Sequence, residues 1–462
     1  MSVDWSFVRL KDYCTKIGSG STPRGGANVY LDSGNVCLIR SQNIYNDGFS
    51  ENGLVFISDS DAEKLNNVEI ELNDVLINIT GDSVARVCLA PKDKLPARVN
   101  QHVAIIRTVK NELDPKFVRY FLTDRNTQNH LLTLAGTGAT RNALTKGMLE
   151  EFLVPKPDIL IQKKISKILS DLDEKIHLNN QINQTLESIA QTIFKSWYID
   201  FDPVRAKIAA KQEGKDSELA AMCAISGKSQ EELKQMSKDD FAELQASAAL
   251  FPDELVETEL GEVPKGWEYK KLKDLCRVIN GRAYKNTEFK EEGIPIVRIQ
   301  NLTGGGKTVF SDLDLPQDKL IEKEDFIYAW SATFGPYIWR GPKSIYHYHI
   351  WKMDVDETII SRYFLYLTMF RKTESMKSSG TGSIFTHLTK AIMESQDVLI
   401  ADNAINMLFK DRIDRIFKLI SLKSDEINNL ENIRDTLLPK LLSGEIDVSD
   451  LGSETEYEYS TK

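Results

Sequence analysis

Cysteine and histidine are scarce in this chain, at five and six residues in 462. The cysteines (Cys14, Cys37, Cys88, Cys223 and Cys276) are odd in number, scattered, and form no CxxC pair. That excludes a disulfide framework and a cysteine-based zinc site, and it points to reduced thiols in a cytoplasmic setting. Long apolar runs are absent as well. No stretch of 18 apolar residues occurs, and the opening MSVDWSFVRLKDY has no basic start followed by an apolar segment, so neither a membrane span nor a secretory leader is expected.

Catalytic signatures are missing too. There is no GxSxG, no HExxH, no strand-preceded GxGxxG and no NPPY-type methyltransferase motif. Asn301-Leu-Thr-Gly-Gly-Gly306-Lys307-Thr308 approaches a phosphate-binding loop. It lacks the first glycine, however, and runs into VFSDLDLP rather than a helix, so a glycine-rich turn is expected. His347 and His349, two apart, are expected on one face of a strand; with no third ligand nearby they suit an exposed or nucleic-acid-facing role better than zinc. The chain reads as a binder, with no cofactor and no metal of its own.

What the sequence does contain is itself, twice. Trp5, Leu10, Lys11, Asp12, Cys14 and Ile17 return at identical spacing as Trp267, Leu272, Lys273, Asp274, Cys276 and Ile279, an offset of 262. Arg40-Ser-Gln42-Asn43 returns as Arg298-Ile-Gln300-Asn301, and Arg119-Tyr-Phe-Leu122 as Arg362-Tyr-Phe-Leu365. Gly136-Thr-Gly138 with Leu144-Thr-Lys146 returns as Gly380-Thr-Gly382 with Leu388-Thr-Lys390. Preserved order marks an internal duplication, and a duplicated chain is pseudo-twofold, suited to a ligand with two similar but nonidentical sites.

Each repeat (1–157 and 263–398) reads as a mixed, mainly β domain. Short apolar runs at 36–39, 75–79, 103–106, 294–299 and 326–330 are bounded by turn residues. Asp114-Pro115 opens a helix carrying Phe117, Tyr120 and Phe121, with a matching stretch at 359–370. After each repeat comes a helix of about 36 to 40 residues, about 55 to 60 Å long. In the first (158–199), Ile161, Ile165, Ile168, Leu172, Ile176, Ile182, Leu186, Ile189, Ile193 and Trp197 follow three-four spacing with one break at Asn179. In the second (399–445), Ile413, Ile416, Ile420, Ile427, Leu430, Leu437 and Leu441 do the same, with Lys423 at one seam position. So narrow a stripe is a coiled-coil seam, and two such helices in one chain most simply pair antiparallel and hold the domains apart. Asn179, Asn183 and Asn428 either fix register or face solvent. The fold class is therefore α+β: two duplicated domains separated by two long antiparallel helices.

Net charge is −10, which as a sum disfavours phosphate, but its distribution matters more. Residues 1–157 carry 18 basic and 18 acidic side chains and 263–398 carry 20 and 17, whereas the 200–262 insert carries 7 and 15. That insert reads as a solvated helical linker, in which Ser229-Gln-Glu-Glu232 caps a helix running through Leu244. The tail, 446–462, is expected to be disordered.

The segments CLIRSQNI and PIVRIQNL, the repeated GTG…LTK, the two long helices, and the linkers IFKSWYIDFDPVRAK and LFPDELVETELGEVPKGW together resemble the specificity subunit of type I restriction-modification systems, over nearly the whole chain. The resemblance implies two target recognition domains, each reading one half of a bipartite double-stranded DNA sequence. It also implies helices that set the spacer and recruit two methyltransferase subunits, with motor-nuclease subunits beyond them. S-adenosylmethionine, ATP and magnesium belong on those partners, no membrane is involved, and the chain is noncatalytic; a protein-interaction scaffold without DNA affinity is the alternative. The second copy departs in one place, carrying DVLIAD where the first has the exit Val154-Pro-Lys-Pro157, so a different domain–helix junction is expected there.

Base edges are read by Arg, Gln and Asn. Arg40, Gln42 and Asn43, with Arg298, Gln300 and Asn301, have that chemistry. Their identity in both copies favours a structural turn or a backbone role over base reading, since different half-sites demand different readers. Positions where the copies diverge are the sharper candidates: Arg98, Asn100, Gln101 and Arg141 in the first copy, His347 and His387 in the second. The 98–102 stretch is expected to face 344–348. The spacer helices would meet partners and each other through Ile165, Leu172, Ile182, Leu186, Ile416, Ile420, Ile427 and Leu430.

Overall fold

The computed structural model describes residues 5–136, 142–331, 333–378, 388–449 and 451. They divide into two units, Met1–Leu178 with Glu426–Lys462, and Asn179–Asp425.

In the first unit a four-stranded antiparallel sheet runs in the order Cys14–Ser19, Val103–Thr108, Val75–Asn78, Val87–Leu89. Its central strands are buried on both faces because their alternate residues serve two cores. Val75, Ile77, Ala104 and Ile106 enter one cluster with Val118, Leu122 and Leu131, while Leu76, Val103 and Ile105 enter another with Leu38, Ile57 and Val99. A three-stranded sheet, Val55–Ile57, Val36–Ile39 and Ala97–Val99, supplies that second core, the last two strands being parallel. The helix Pro115–Thr123 starts as its sequence dictates: Asp114 accepts from the Phe117 amide at 2.8 Å, and proline takes a first-turn position where no donor is needed.

The second unit repeats the plan. Cys276–Asn280, Ile350–Val355, Phe326–Ala329 and Gly335–Ile338 form a four-stranded sheet of the same order, and Ile294–Val297 lies parallel to Ser344–Tyr346 as Val36–Ile39 does to Ala97–Val99. The run expected to reach residue 299 ends at Val297, because Ile299–Leu302 is a helical turn. The helix expected from 359 begins at Arg362 and extends to Ser378.

The two exits turn out alike. Leu153–Pro155 pairs with Phe7–Arg9, and Asp397–Ile400 pairs with Glu268–Lys271, with Phe7 opposite Pro155 and Tyr269 opposite Leu399. The expected difference in junction geometry is thus absent: an edge strand needs only backbone pairing, which DVLI provides as well as LVP.

The long helices, Ile159–Tyr198 and Asn403–Leu442, are 40 residues each and correspond at an offset of 244. In the first unit Ile165 and Leu169, near the start of one, share a core with Leu441 and Leu442, at the end of the other. In the second unit Asn183 donates to Ser424 and Tyr198 to Asn406, so residue numbers again run in opposite senses. The pairing is antiparallel in each unit. Ile165, Ile176, Ile413, Ile420 and Ile427 are buried, and Leu172, Ile182, Leu186, Ile416 and Leu430 are half-buried. Ile189, expected on the stripe, is instead 43% exposed. Asn179 is fully buried and the helix passes through it unbroken, whereas Asn428 faces solvent.

The insert is more than a solvated linker. Helices Asp202–Gln212, Ser217–Ser226, Gln230–Leu233 and Lys238–Leu250 enclose a small core of Ala221, Met222, Leu233, Leu244 and Ala248. The helix expected through Leu244 breaks after Leu233, and Ser237 caps a new one by accepting from the Asp240 amide. Residues 446–449, expected to be disordered, are described and packed, with Val448 buried beside Leu441 and Leu442; residues 450 and 452–462 lie outside the described residues. No described helix is long and apolar enough to cross a membrane.

Candidate nucleic-acid interface

The repeated Arg-x-Gln-Asn segments follow equivalent strands, and both form the same tight turn. Asn43 Oδ1 accepts from the Arg40 amide at 3.0 Å, and Asn301 Oδ1 accepts from the Arg298 amide at 3.0 Å. Asn43 is completely buried, its Nδ2 donating to the carbonyls of Ser50 and Asn52 at 2.9 and 3.2 Å. Both asparagines stand in for a backbone partner, as turn asparagines do, and Asn43, bonded through both side-chain atoms, has little left for a base. Arg40 donates to the Gly53 carbonyl and Arg298 to that of Lys307, tying the next loop to the turn in each copy. Gln42 donates to the same Gly53 carbonyl at 3.1 Å, yet it and Gln300 are exposed. Identity between copies therefore reflects a shared turn.

Arg98 is placed on the core side. It is only 6% exposed, its Nε donates to the Ala62 carbonyl at 3.2 Å, its Nη2 to Asn66 Oδ1 at 2.9 Å, and its Nη1 lies 3.3 Å from Glu69. All three guanidinium nitrogens are thus engaged within the domain. The reason is register: Leu38 lies opposite Arg98 as Ile296 lies opposite Ile345, so Arg98 corresponds to an apolar strand position, and 98–102 faces 345–349, one residue further along than expected.

That register brings residues 100–102 and 347–349 onto one frame. The Asn100 amide donates to the Ile39 carbonyl and the His347 amide to that of Val297. The His102 carbonyl accepts from the Ile79 amide and the His349 carbonyl from that of Trp330. Beneath each turn lies a glycine that nothing larger can replace: a Cβ on Gly20 would sit 2.1 Å from the Val99 carbonyl oxygen, and one on Gly281 2.3 Å from that of His347. Asn100 is 6% exposed, with Oδ1 accepting from the His102 amide at 3.1 Å, whereas Gln101 is exposed. His102 Nδ1 lies 2.6 Å from Thr80 Oγ1.

In the second copy His347 and His349 lie in this turn, not on a strand, since the strands end at Tyr346 and resume at Ile350. Their rings are 4.9 Å apart, flanked by Tyr348 and by Trp330, whose Nε1 donates to the Tyr348 carbonyl at 2.8 Å. Burial, then the neighbouring His349 and Arg298, lowers the His347 pKa; burial lowers that of His349. Both imidazoles are accordingly neutral at neutral pH, each able to donate and accept. No group of three or more metal-ligating side chains occurs among the described residues. The glycine-rich 303–308 segment links a helical turn to the strand Val309–Ser311, as expected of a turn.

Arg141 and His387 lie outside the described residues. The described flank beside Arg141 is informative nonetheless, because Ala143 bridges to Thr80, next to His102. Gly20, Gly281, His102, Trp330 and Tyr348 carry no sequence motif of their own, whereas His349 stood out beside His347. The glycines carried a signal, each falling three residues beyond the aligned Ile17 or two beyond Ile279, but the alignment slips by one there and hides it.

The family profile described as the type I restriction modification DNA specificity domain matches residues 2–188 and 264–432, one span in each repeat together with part of the long helix that follows. The type I restriction enzyme HindI specificity subunit of Haemophilus influenzae is 31% identical over 96% of this chain and 100% of its own length. The MjaIX specificity subunit of Methanocaldococcus jannaschii is 24% identical over 97% and 95%. The crystal structure of the type I restriction-modification S subunit from M. genitalium shares the fold, with a TM-score of 0.51 at 16% identity over 95% of this chain and 96% of that one. Duplicated domains, paired long helices and these matches agree: the chain belongs to the family of type I restriction-modification specificity subunits.

Proposed function

We propose that this chain is the noncatalytic, DNA-reading subunit of a cytoplasmic type I restriction-modification complex. Each recognition domain reads one half of a bipartite duplex site, and the helices set the gap and seat two methyltransferase subunits, with motor-nuclease subunits beyond. S-adenosylmethionine, ATP and magnesium are bound by those partners. The observation that carries this reading is one frame built twice with different exposed side chains, which is what two unlike half-sites require. Gln42, Gln101, Gln300 and His347 are the candidates at base edges, and Arg40 and Arg298 hold the backbone phosphates, which set register without reading sequence. Arg141 and His387 remain candidates on sequence grounds, as does the half-buried Asn301, while the engaged side chains of Asn43 and Asn100 serve the turns and that of Arg98 the core side of the domain.

Co-purification with the methyltransferase subunit, followed by methylome sequencing of cells expressing both, tests this. A new methylated motif in two parts with a fixed gap is expected. A stable complex that adds no methylation, together with DNA affinity indifferent to salt, would replace this reading with the scaffold, because phosphate contacts make DNA binding strongly salt-dependent.

A further inference from the structure

Two modules that read different sequences on one fold need a place where the backbone is held identically and the exposed side chain is free to differ. Residues 100–102 and 347–349 meet that description. The backbone bonds to Ile39 and Ile79 in one copy and to Val297 and Trp330 in the other are the same bonds. Gly20 and Gly281 press on the turn from below in the same way. The third residue is histidine in both copies, and its amide or ring is engaged: His102 contacts Thr80 Oγ1, and His349 packs edge-on to Trp330 at 5.4 Å. The first residue is half-buried or buried. Only the middle residue is exposed in both copies, and there the chemistry changes from an amide, Gln101, to a phenol, Tyr348, which is 40% exposed.

Resting on the DNA-reading function above, we propose that this turn is a specificity-determining tip of each recognition domain, with Gln101 and Tyr348 contacting a base in their respective half-sites and Asn100, His102 and His349 positioning them. Gln101 suits adenine, whose N7 acceptor and N6 donor match the carboxamide in a bidentate pair. Tyr348 cannot make that pair. Its ring suits apolar contact with a thymine methyl and its hydroxyl a single hydrogen bond, so the two tips select different bases. Rigidity is part of the device, since a tip bonded at both ends to strand termini presents its side chain with little conformational entropy to lose.

The test uses the full chain assembled with its methyltransferase subunits, in three forms: unchanged, Gln101→Ala and Tyr348→Ala. Methylome sequencing gives each motif, and binding of the assembled complex to duplexes substituted one base at a time gives the discrimination at each position. The expected result for Gln101→Ala is a loss of about tenfold in discrimination at one position of one half-site, with the other half-site and the gap unchanged. Tyr348→Ala should do the same in the opposite half-site. Unaltered motifs and unaltered discrimination in both variants would overturn the proposal. So would affinity falling equally for every duplex, which marks a phosphate contact. If methylation is lost, the binding panel still separates these outcomes. Failure of the unchanged chain to produce any bipartite motif would instead count against the DNA-reading function itself.

Discussion

The two units fasten a recognition domain to a helix pair in different ways, although the positions involved correspond. In the second unit the domain has two small clusters of its own, around Tyr346 and Ile345, but its main core is continuous with the helices: Ala190, Phe194 and Trp197 from one helix and Phe409, Ile413 and Phe417 from the other pack with Phe364, Leu365, Trp351 and Val278. In the first unit both large cores belong to the domain, and among the described residues the apolar contact with the helices is a small cluster around Phe117, Tyr120, Ile165 and Leu169. Ions make up part of the difference. Asp173 takes hydrogen bonds from Arg119 (2.9 Å), Tyr120 (2.7 Å) and Arg434 (3.0 Å). At the 244-residue offset Asp173 becomes Phe417, stacked 4.2 Å from Tyr363, and Arg434 becomes Ala190, fully buried. A charged clasp in one copy is an aromatic and a small residue in the other. Apolar burial is non-directional and is not screened by salt, whereas an ion cluster fixes geometry but weakens as ionic strength rises. The same fold can thus be fastened by packing or by charge.

The largest expected effect comes from breaking the packed attachment. Phe409→Ala removes a ring 1% exposed that meets Phe194, Trp197, Tyr198 and Phe364. It should destabilise the second unit by about 3 to 5 kcal/mol, read as an earlier denaturation midpoint that barely responds to salt. A smaller and salt-dependent effect is expected in the first unit. Asp173→Ala leaves Arg119 and Arg434, with side chains 10% and 22% exposed, facing each other without their carboxylate. A fully buried pair broken on one side costs more than this partly wetted one, for which about 1 to 3 kcal/mol is expected. Raising the salt concentration should narrow the gap between this variant and the parent. An effect of Asp173→Ala equal to that of Phe409→Ala, at every salt concentration, would refute the contrast.

The seam where the helices pair offers a sharper probe. Asn179, at the position equivalent to Lys423, is fully buried, and neither side-chain amide atom has a hydrogen-bond partner among the described residues. An unsatisfied buried amide is costly, so Asn179→Leu should raise stability, by about 1 kcal/mol. In coiled coils such a residue buys register at the expense of stability. Cross-linking of cysteines introduced at Asn183 and Ser424 should consequently become less selective in the variant; unchanged selectivity with raised stability would assign Asn179 no register role.

Much of this was legible in the sequence because it rests on spacing. The duplication, the central strands, the Asp114 cap and the two long helices all declare themselves through period and turn residues. What was not legible depends on which backbone atoms meet. Asn43 and Arg98 have the composition of DNA readers, and only the turn and the strand register show that one replaces backbone partners and the other is held by Asn66 and Glu69. Ile189 fits the stripe, but periodicity does not say which side of the stripe the partner helix covers, and between the Asn183–Ser424 and Tyr198–Asn406 pairs that side chain remains exposed. The insert's acidity advertised solvent and concealed a small core in which Ala221 and Ala248, residues of little hydrophobic contrast, stand beside Met222, Leu233 and Leu244.

The smallest expected effect serves as the reference for the charged clasp. Lys175 and Glu426 pair at 3.3 Å between the same two helices in the first unit, but their side chains are 44% and 36% exposed. An exposed pair gains little over water and costs side-chain order, so Lys175→Met should change stability by no more than about 0.5 kcal/mol. It shares with Asp173 the helix and the partner helix, and differs in burial and in the number of donors met. A change as large as that of Asp173→Ala would mean that any charge between these helices matters. A negligible one locates the attachment in the three donors gathered on a single sheltered carboxylate.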